Sequence, residues 1–137
     1  MITKLSHSTL YVKDQEKALE FYRDKLGFKV IMDVTMDNGF RWITVQPPNQ
    51  KDLEIVLMKP LAGPMLDNES AKAMQLLLDK GLMGAGVFDT DDCQKTYEHL
   101  RNKGVEFSQP PAERFYGIEA IFRDNCGNWF SLTQRKE

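Results

Sequence analysis

A histidine and a glutamate in the N-terminal half are the side chains best suited to acid–base chemistry. His7 precedes a run of strand-forming residues, and Glu54 lies within another such run. An imidazole ionises near neutral pH and can exchange a proton with a substrate, while a glutamate can act as a general base. Each residue also has a structural interpretation. His7 fits a hydrogen-bonded residue of a pocket wall, and Glu54 fits a solvated or salt-bridged carboxylate.

Aromatic and hydroxyl-bearing side chains on predicted strands could line a binding site. An aromatic wall suits a flat or apolar ligand. Trp129 and Ser131 lie two residues apart on one predicted strand, so they share a face. Core packing is the alternative for Trp42. The predicted ligand-binding residues are Thr9, Tyr11, Arg41, Trp42, Arg114, Tyr116, Trp129 and Ser131.

Two of these residues are arginines with more than one possible role. Arg41 and Glu119 occupy equivalent places in the two halves of the chain, which favours a salt bridge between them. Alternatively, Arg41 could hold an anionic substrate group through a bidentate contact. Arg114 and Tyr116 lie at the start of a predicted strand, and they either close over a ligand or belong to an ordinary loop.

The first half of the chain predicts the element order β-α-β-β-β. Residues 8–12 are rich in β-forming types. Asp14 can then cap a helix whose apolar residues recur at helical spacing until Gly27 ends it. Three strand-like segments follow, at 28–34, 40–45 and 53–58.

The second half repeats this order, with matching residues 77 or 78 positions further along. A strand at 84–90, a helix capped by Asp91 or Asp92 and ended by Gly104, and strands at 105–108, 115–123 and 129–133 are predicted. We therefore expect one domain over 1–137, with repeat one at about 4–59 and repeat two at about 82–134. The stretch at about 60–81 reads as a linker with a short helix near 71–78, the alternative being a mobile lid.

The predicted fold class is α+β, with two βαβββ repeats that form curved mixed sheets. Leu53, Ile55 and Leu57 alternate with their neighbours, so one sheet face should pack on the helix. The opposite face should then carry His7, Thr9, Tyr11 and Glu54. A concave face of this composition forms a cup that suits a small-molecule ligand.

These motifs resemble the vicinal oxygen chelate superfamily, which includes glyoxalase I, bleomycin- and fosfomycin-resistance proteins and extradiol dioxygenases. His7, the segments 18–22, 26–28 and 53–55, and the segment 122–128 before the last strand carry the resemblance. It implies a homodimer with small-molecule sites, in which each βαβββ unit supplies two metal ligands, from its first and last strands.

The same resemblance implies an incomplete metal site. His7 and Glu54 match the family ligands in type and place, whereas Ala85 and Ser131 stand at the partner positions. A catalytic zinc site normally has three protein ligands, so we expect either no cofactor or a weakly held divalent metal. The other histidine, His99, lies on the second predicted helix and should face away from the cup.

Composition narrows the classes of partner. The net charge is −2, with both signs interspersed, so nothing favours nucleic acid or an anionic membrane. The N-terminus lacks the apolar stretch of a signal peptide, and cytoplasmic localisation is expected. In that compartment, Cys93 and Cys126 are predicted to be unpaired thiols.

Three functions remain open at this point. The first is a small-molecule binding protein without a metal, similar to the antibiotic-sequestering members of the superfamily. The second is a glyoxalase-like lyase or isomerase with Glu54 as base and His7 as ligand or acid. The third is a protein-interaction dimer whose cup is filled by its own side chains.

Overall fold

The computed structural model describes residues 1–136 and contains eight strands and three α-helices in that range. They divide into two compact units, 1–75 and 76–137, with the division inside the second helix. Unit 1 contains β1 (His7–Tyr11), α1 (Gln15–Glu20), β2 (Lys29–Thr35), β3 (Arg41–Gln46) and β4 (Glu54–Met58). The second helix is α2 (Asn68–Asp79). Unit 2 contains β5 (Met83–Asp89), α3 (Cys93–Asn102), β6 (Glu106–Arg114), β7 (Gly117–Arg123) and β8 (Asn128–Arg135).

Unit 1 forms around the apolar face of its helix. The Asp14 side chain accepts a hydrogen bond from the Lys17 backbone N–H at 3.1 Å, which satisfies one of the free donors at the start of α1. After Glu20 the helix continues as a π-helical turn, Phe21–Lys25. Gly27 follows with φ of 75°, a left-handed conformation that glycine adopts at little cost. The buried apolar core consists of Leu10, Val12, Ala18, Leu19, Phe21, Tyr22, Ile43, Val45, Val56 and Leu57.

The sheet of unit 1 is mixed and has the strand order β1-β4-β3-β2. The strands β1 and β4 are parallel, whereas β4 pairs antiparallel with β3 and β3 with β2. In the parallel pair, His7 lies opposite Glu54. Because side chains alternate between faces, Leu10, Ile43 and Leu57 point toward the helix. His7 and Glu54 therefore lie on the opposite, open face.

Unit 2 repeats this arrangement, with the strand order β5-β8-β7-β6 and a parallel β5–β8 pair. Asp92 caps α3 through the Lys95 backbone N–H at 3.0 Å. The buried core contains Cys93, Leu100, Ala120, Phe122, Phe130 and Leu132. The predicted fold class and the repeated βαβββ order are thus confirmed.

Most segment boundaries agree with the sequence expectations, but β6 is longer. It was expected to end at Ser108, and it continues through Pro110 and Pro111 to Arg114. Prolines are tolerated there because β6 is an edge strand with register shifts beside them. The expected helix at 71–78 lies within α2. Within residues 1–136, no helix combines the length and apolar composition needed to cross a bilayer.

Candidate ligand-binding sites

The open face of unit 1 brings together the two residues selected for acid–base chemistry. The His7 Nε2 atom lies 3.4 Å from Glu54 Oε2. The Thr44 hydroxyl, on the neighbouring strand, donates to Glu54 Oε1 at 2.6 Å. On the other side of the imidazole, Nδ1 lies 2.9 Å from the Ser6 hydroxyl. The His7 side chain is 40% exposed and that of Glu54 is 24% exposed, so solvent or a ligand reaches both.

A pocket of about 790 Å³ lies at the carboxyl ends of β1 and β4. Thr9 and Tyr11, both expected at a binding site, line it from β1. The stretch 61–66, which belongs to the predicted linker, forms another wall and contributes Leu61, Met65 and Leu66. The volume falls within the range that drug-sized ligands occupy. The linker therefore shapes a cavity in addition to joining two elements.

Arg41 borders this pocket, but carboxylates of unit 1 bind its guanidinium group. Its Nε and Nη2 atoms donate to Asp33 at 2.9 and 2.8 Å, and Nη1 donates to Glu16 on α1 at 3.2 Å. The hydrogen bond from Arg41 lowers the pKa of Asp33, against the opposing effect of burial. Within unit 1, Arg41 therefore pairs with Asp33 on the adjacent strand and Glu16 on α1, and its salt bridge with Glu119 stays a prediction.

Trp42 is half-buried on the open face of unit 1 rather than in the helix-covered core. Its ring centroid lies 6.2 Å from that of His7. Its neighbours on β3, Ile43 and Val45, are fully buried on the other side of the sheet. Trp42 is thus placed to contact a ligand that lies against His7.

The open face of unit 2 contains a carboxylate network centred on Glu119. The Ser131 hydroxyl donates to Glu119 Oε2 and the Tyr116 hydroxyl donates to Oε1, both at 2.6 Å. Ser131 also shares a hydrogen bond of 2.7 Å with the Thr133 hydroxyl. Arg114 Nε lies 3.9 Å from Glu119 Oε1. Three of the predicted site residues, Arg114, Tyr116 and Ser131, therefore meet around a residue that was expected only as a salt-bridge partner.

The network keeps Glu119 ionised and Tyr116 protonated. Burial acts to raise the pKa of Glu119, but hydrogen bonds from Ser131 and Tyr116 and the charge of Arg114 outweigh it, so the pKa lies below its usual value. The hydrogen bond to Glu119 raises the pKa of Tyr116. Near neutral pH the cluster therefore contains a carboxylate, a phenol and a guanidinium group.

Ala85 and Ser131 do not lie opposite each other as His7 and Glu54 do. A shift between Gly84 and Gly86 leaves Ala85 outside the regular pairing, and Val87 lies opposite Ser131 as His7 lies opposite Glu54. The Trp129 ring lies over Gly84, where an added Cβ would stand 2.7 Å from the ring atom Cζ2. Val87, like Ala85, has no metal-binding atom, so the residue opposite Ser131 supplies no metal ligand.

Each open face has a hydrogen bond between a hydroxyl and a carboxylate on its third and fourth strands. Thr44 pairs with Val56, two residues beyond Glu54, and Glu119 pairs with Thr133, two residues beyond Ser131. In each unit the hydrogen bond therefore joins diagonal neighbours on the third and fourth strands. In unit 1 the fourth strand carries the carboxylate and the third strand the hydroxyl, and in unit 2 this order is reversed.

Unit 2 also has a concavity, of about 560 Å³, at the carboxyl ends of β5 and β8. Its lining is mostly charged and polar: Thr90, Asp91, Glu113, Arg114, Gly117, Ile118, Gln134, Arg135 and Lys136. Arg135 is itself bound to Asp89 at 2.8 Å. The counterpart of the apolar pocket in unit 1 is therefore a polar one.

The donor set of the family's metal does not fit the residues present. Across residues 1–136, no three His, Cys, Asp or Glu side chains form a group that could hold a metal ion. His7 and Glu54 supply two donors, and Thr44 already occupies one Glu54 oxygen. The carboxylate of unit 2 has hydroxyl donors on both oxygens and Arg114 beside it. His99 is exposed on α3, among residues that line neither open face.

Sequence reasoning missed Thr44 and the central position of Glu119. The alternation of side chains along β3 could have identified Thr44, because this hydroxyl residue lies between the apolar residues Ile43 and Val45 and so points to the opposite face. Glu119 alternates in the same way with Ala120 and Phe122 of the core. The pairing of each with the fourth strand depends on register, which has no local signal in the sequence.

Comparison with known proteins identifies the family to which these paired units belong. The model of the Glyoxalase/Bleomycin resistance protein/Dioxygenase superfamily matches residues 4–132. The chain belongs to this superfamily. The glyoxalase superfamily assignment agrees with the fold, in which two βαβββ units each form a mixed four-stranded sheet.

Relatives in the glyoxalase superfamily cover almost the whole chain. The uncharacterized protein YurT of Bacillus subtilis is 36% identical over 132 residues, which span 96% of this chain and 99% of the relative. The crystal structure of UcmS2 has 44% identity and a TM-score of 0.88, covering 97% of this chain and 98% of the other. The crystal structure of TnmS3, described as an antibiotic binding protein from Streptomyces sp. CB03234, has 27% identity and a TM-score of 0.76, with 98% of each chain covered.

Proposed function

We propose that this protein binds a small organic molecule in the pocket of unit 1, without a resident metal, as a ligand-sequestering member of its superfamily. The observation that carries the proposal is the pocket of about 790 Å³ between β1, β4 and the stretch 61–66. Burial of apolar ligand surface against Phe40, Met58 and Leu66 would supply the binding free energy. The description of TnmS3 as an antibiotic binding protein supports the same class of function.

The polar groups of the pocket would orient the ligand. Thr9 and Tyr11 supply hydroxyl groups on one wall. The Gln15 side chain donates to two backbone carbonyls, of Arg41 and Leu57, and so fixes the base of the pocket. The chain's own side chains leave this volume open, which argues against a role as a purely protein-interacting dimer.

The direct test uses the neutral, apolar dye Nile red as a probe of the pocket. We expect one saturable site per chain, read by the rise in dye fluorescence, with unchanged affinity in EDTA. Met65→Glu should weaken binding at least about tenfold, because a carboxylate would be desolvated at the pocket wall. Ile2→Glu, at an equally exposed apolar residue outside the pocket, is the matched control and should bind as the wild type does. Loss of binding in EDTA, or an unchanged affinity of Met65→Glu, would overturn the proposal.

A second candidate is an enzyme that abstracts a proton beside a carbonyl group, and the His7–Glu54 pair favours it. The two side chains lie 3.4 Å apart, so Glu54 could accept the proton while His7 returns one to the product oxygen. The assay is exchange of the hydrogens of dihydroxyacetone in D2O. Glu54→Gln should slow it by about 100-fold, with the exposed Glu69→Gln on α2 as control. Exchange no faster than buffer, or a fully active Glu54→Gln, would remove this candidate.

We also propose that the protein is a homodimer. Both open faces expose large apolar side chains: Met32 and Val34 in unit 1 and Val87 and Trp129 in unit 2. A second copy of the chain packed against these faces would remove the apolar surface from water. Light scattering after gel filtration should give twice the chain mass of 15.8 kDa, and Val87→Glu should shift the protein toward the monomer. A monomeric wild type at tens of micromolar would contradict the proposal.

A further inference from the structure

We propose that unit 2 carries a binding site for a neutral polar group, of the carboxamide type, in which Glu119 is the hydrogen-bond acceptor and Arg114 the donor. This proposal rests on residues of unit 2 alone and does not depend on the function proposed for the pocket of unit 1. It accounts for the presence of a half-buried, hydrogen-bonded carboxylate on a face where the family's metal donors do not fit.

The acceptor is held in place before any ligand arrives. Ser131 and Tyr116 fix the two oxygens of Glu119 at 2.6 Å, so the carboxylate has one orientation. A carboxylate offers about four lone-pair positions, and these two bonds use two of them. The Glu119 side chain is 16% exposed, which leaves part of it open to a ligand. Preorganisation of this kind lowers the entropic cost of binding.

The donor, Arg114, lies beside Glu119 but does not hydrogen-bond to it. Arg114 Nε lies 3.9 Å from Glu119 Oε1, which is beyond hydrogen-bonding distance. The guanidinium has five N–H donors, and Nη2 uses one on Gln109 Oε1 at 3.0 Å. Gln109 is in turn anchored to the Glu119 backbone carbonyl at 3.1 Å. The donor and the acceptor are therefore held next to each other at a fixed spacing.

The charges of the cluster decide which ligand group fits. The charges of the Glu119 carboxylate and the Arg114 guanidinium sum to zero. A ligand with a single charge is therefore attracted by one of these groups and repelled by the other. An ammonium group would meet Glu119 but oppose Arg114, and a carboxylate would do the reverse. A carboxamide presents a carbonyl acceptor to Arg114 and an N–H donor to Glu119, and both bonds are charge-assisted.

Two aromatic rings at the tip of the β6–β7 hairpin favour an aromatic body on this ligand. Phe115 is 90% exposed, and its ring meets that of Tyr116 edge-on, with centroids 5.0 Å apart. Tyr116 is itself fixed by its hydrogen bond to Glu119. An aromatic carboxamide could therefore contact these rings while its amide occupies the cluster.

The test is titration of the ¹⁵N-labelled full chain with benzamide, followed by NMR. We expect saturable shifts at the backbone amides of Gly117, Glu119 and Ser131. Benzoate and benzylammonium, which have the same ring with a single charge, should bind at least about fivefold more weakly. Tighter binding of benzylammonium would overturn the proposal in favour of a plain carboxylate site, and absence of shifts at these residues would overturn it outright.

Substitutions then assign the two roles. Glu119→Gln and Arg114→Met should each weaken benzamide binding at least about fivefold, and Arg114→Met leaves the bonds from Ser131 and Tyr116 in place if the first variant folds poorly. Glu106→Gln, which removes an exposed carboxylate at the other end of β6, is the matched control and should bind benzamide as the wild type does. Unchanged affinity in Arg114→Met would show that no donor–acceptor pair exists.

Discussion

The two units share one topology, yet they hold their carboxylate on different strands. Glu54 lies on the fourth strand of unit 1 and accepts from Thr44 on the third. Glu119 lies on the third strand of unit 2 and accepts from Ser131 on the fourth. Both bonds measure 2.6 Å. The two sheets therefore place their carboxylates on different strands, and each carboxylate accepts from a hydroxyl of the neighbouring strand.

The concavities differ in the same way. Each lies at the carboxyl ends of the first and fourth strands of its unit, beside the hairpin that joins the second and third. Apolar residues of the stretch 61–66 wall the pocket of unit 1, while charged residues such as Asp91 and Lys136 line that of unit 2. Duplication has preserved the shape of the backbone and not the chemistry of the lining.

The turns between the third and fourth strands separate the units most sharply. In unit 2, Asp124 accepts from the backbone N–H groups of Cys126 and Asn128 at 2.8 and 2.9 Å. Gly127 in this turn has φ of 92° and lies against the Leu78 carbonyl of α2. The turn after β3 in unit 1 is exposed at 48–52. Changes in the turn of unit 2 should therefore have the larger effect on stability.

The largest expected effect is that of Gly127→Ala. The new Cβ would overlap the Leu78 carbonyl oxygen, in addition to the strain of a positive φ. We expect a loss of about 4 kcal/mol in the free energy of unfolding, measured by urea denaturation. Gly39→Ala is the control, since Gly39 has a φ of 87° but open space around it, and it should cost only about 1 kcal/mol. Equal losses would mean that backbone strain accounts for the whole cost and that the contact with Leu78 adds nothing.

A smaller effect is expected from Glu119→Gln, and it should depend on pH. The folded pKa of Glu119 lies below its ordinary value of 4.5, so its contribution to stability is present above that value and is lost as pH falls through the folded pKa. The stability difference between wild type and Glu119→Gln should therefore shrink from about pH 5 downward. Denaturant unfolding at several pH values measures it, with Glu113→Gln as the matched control. A constant difference would contradict the idea that Ser131 and Tyr116 hold the carboxylate ionised.

The smallest expected effects on the free energy of unfolding are those of substituting Arg41 and Arg114. Arg41→Met removes the bonds to Asp33 and Glu16 and should cost about 1 kcal/mol, with a smaller loss at high salt. Arg114→Met should change the free energy of unfolding by less than about 0.5 kcal/mol, because Arg114 does not hydrogen-bond to Glu119. Equal costs for the two variants would indicate that Arg114 is also a structural residue rather than a ligand-binding one.

Local signals in the sequence were enough to predict the repeated elements. Asp14 and Asp92 cap the helices as expected, and Gly27 and Gly104 end them with positive φ. The pairing of the strands was harder to predict from the sequence. The sequence offset placed Ala85 opposite Ser131, whereas the structure places Val87 there, with a register shift between Gly84 and Gly86. Arg41 hydrogen-bonds to Glu16 and Asp33, and the spacing of these three residues in the sequence does not predict that they meet.

The wall that 61–66 contributes to the pocket of unit 1 has a consequence for how such proteins diversify. These six residues belong to no helix or strand, and five of them are exposed. Their identities can change with little cost to the folding of either sheet, so ligand preference and fold can evolve at different rates. A mutational library confined to this short segment would be an economical starting point for altered recognition.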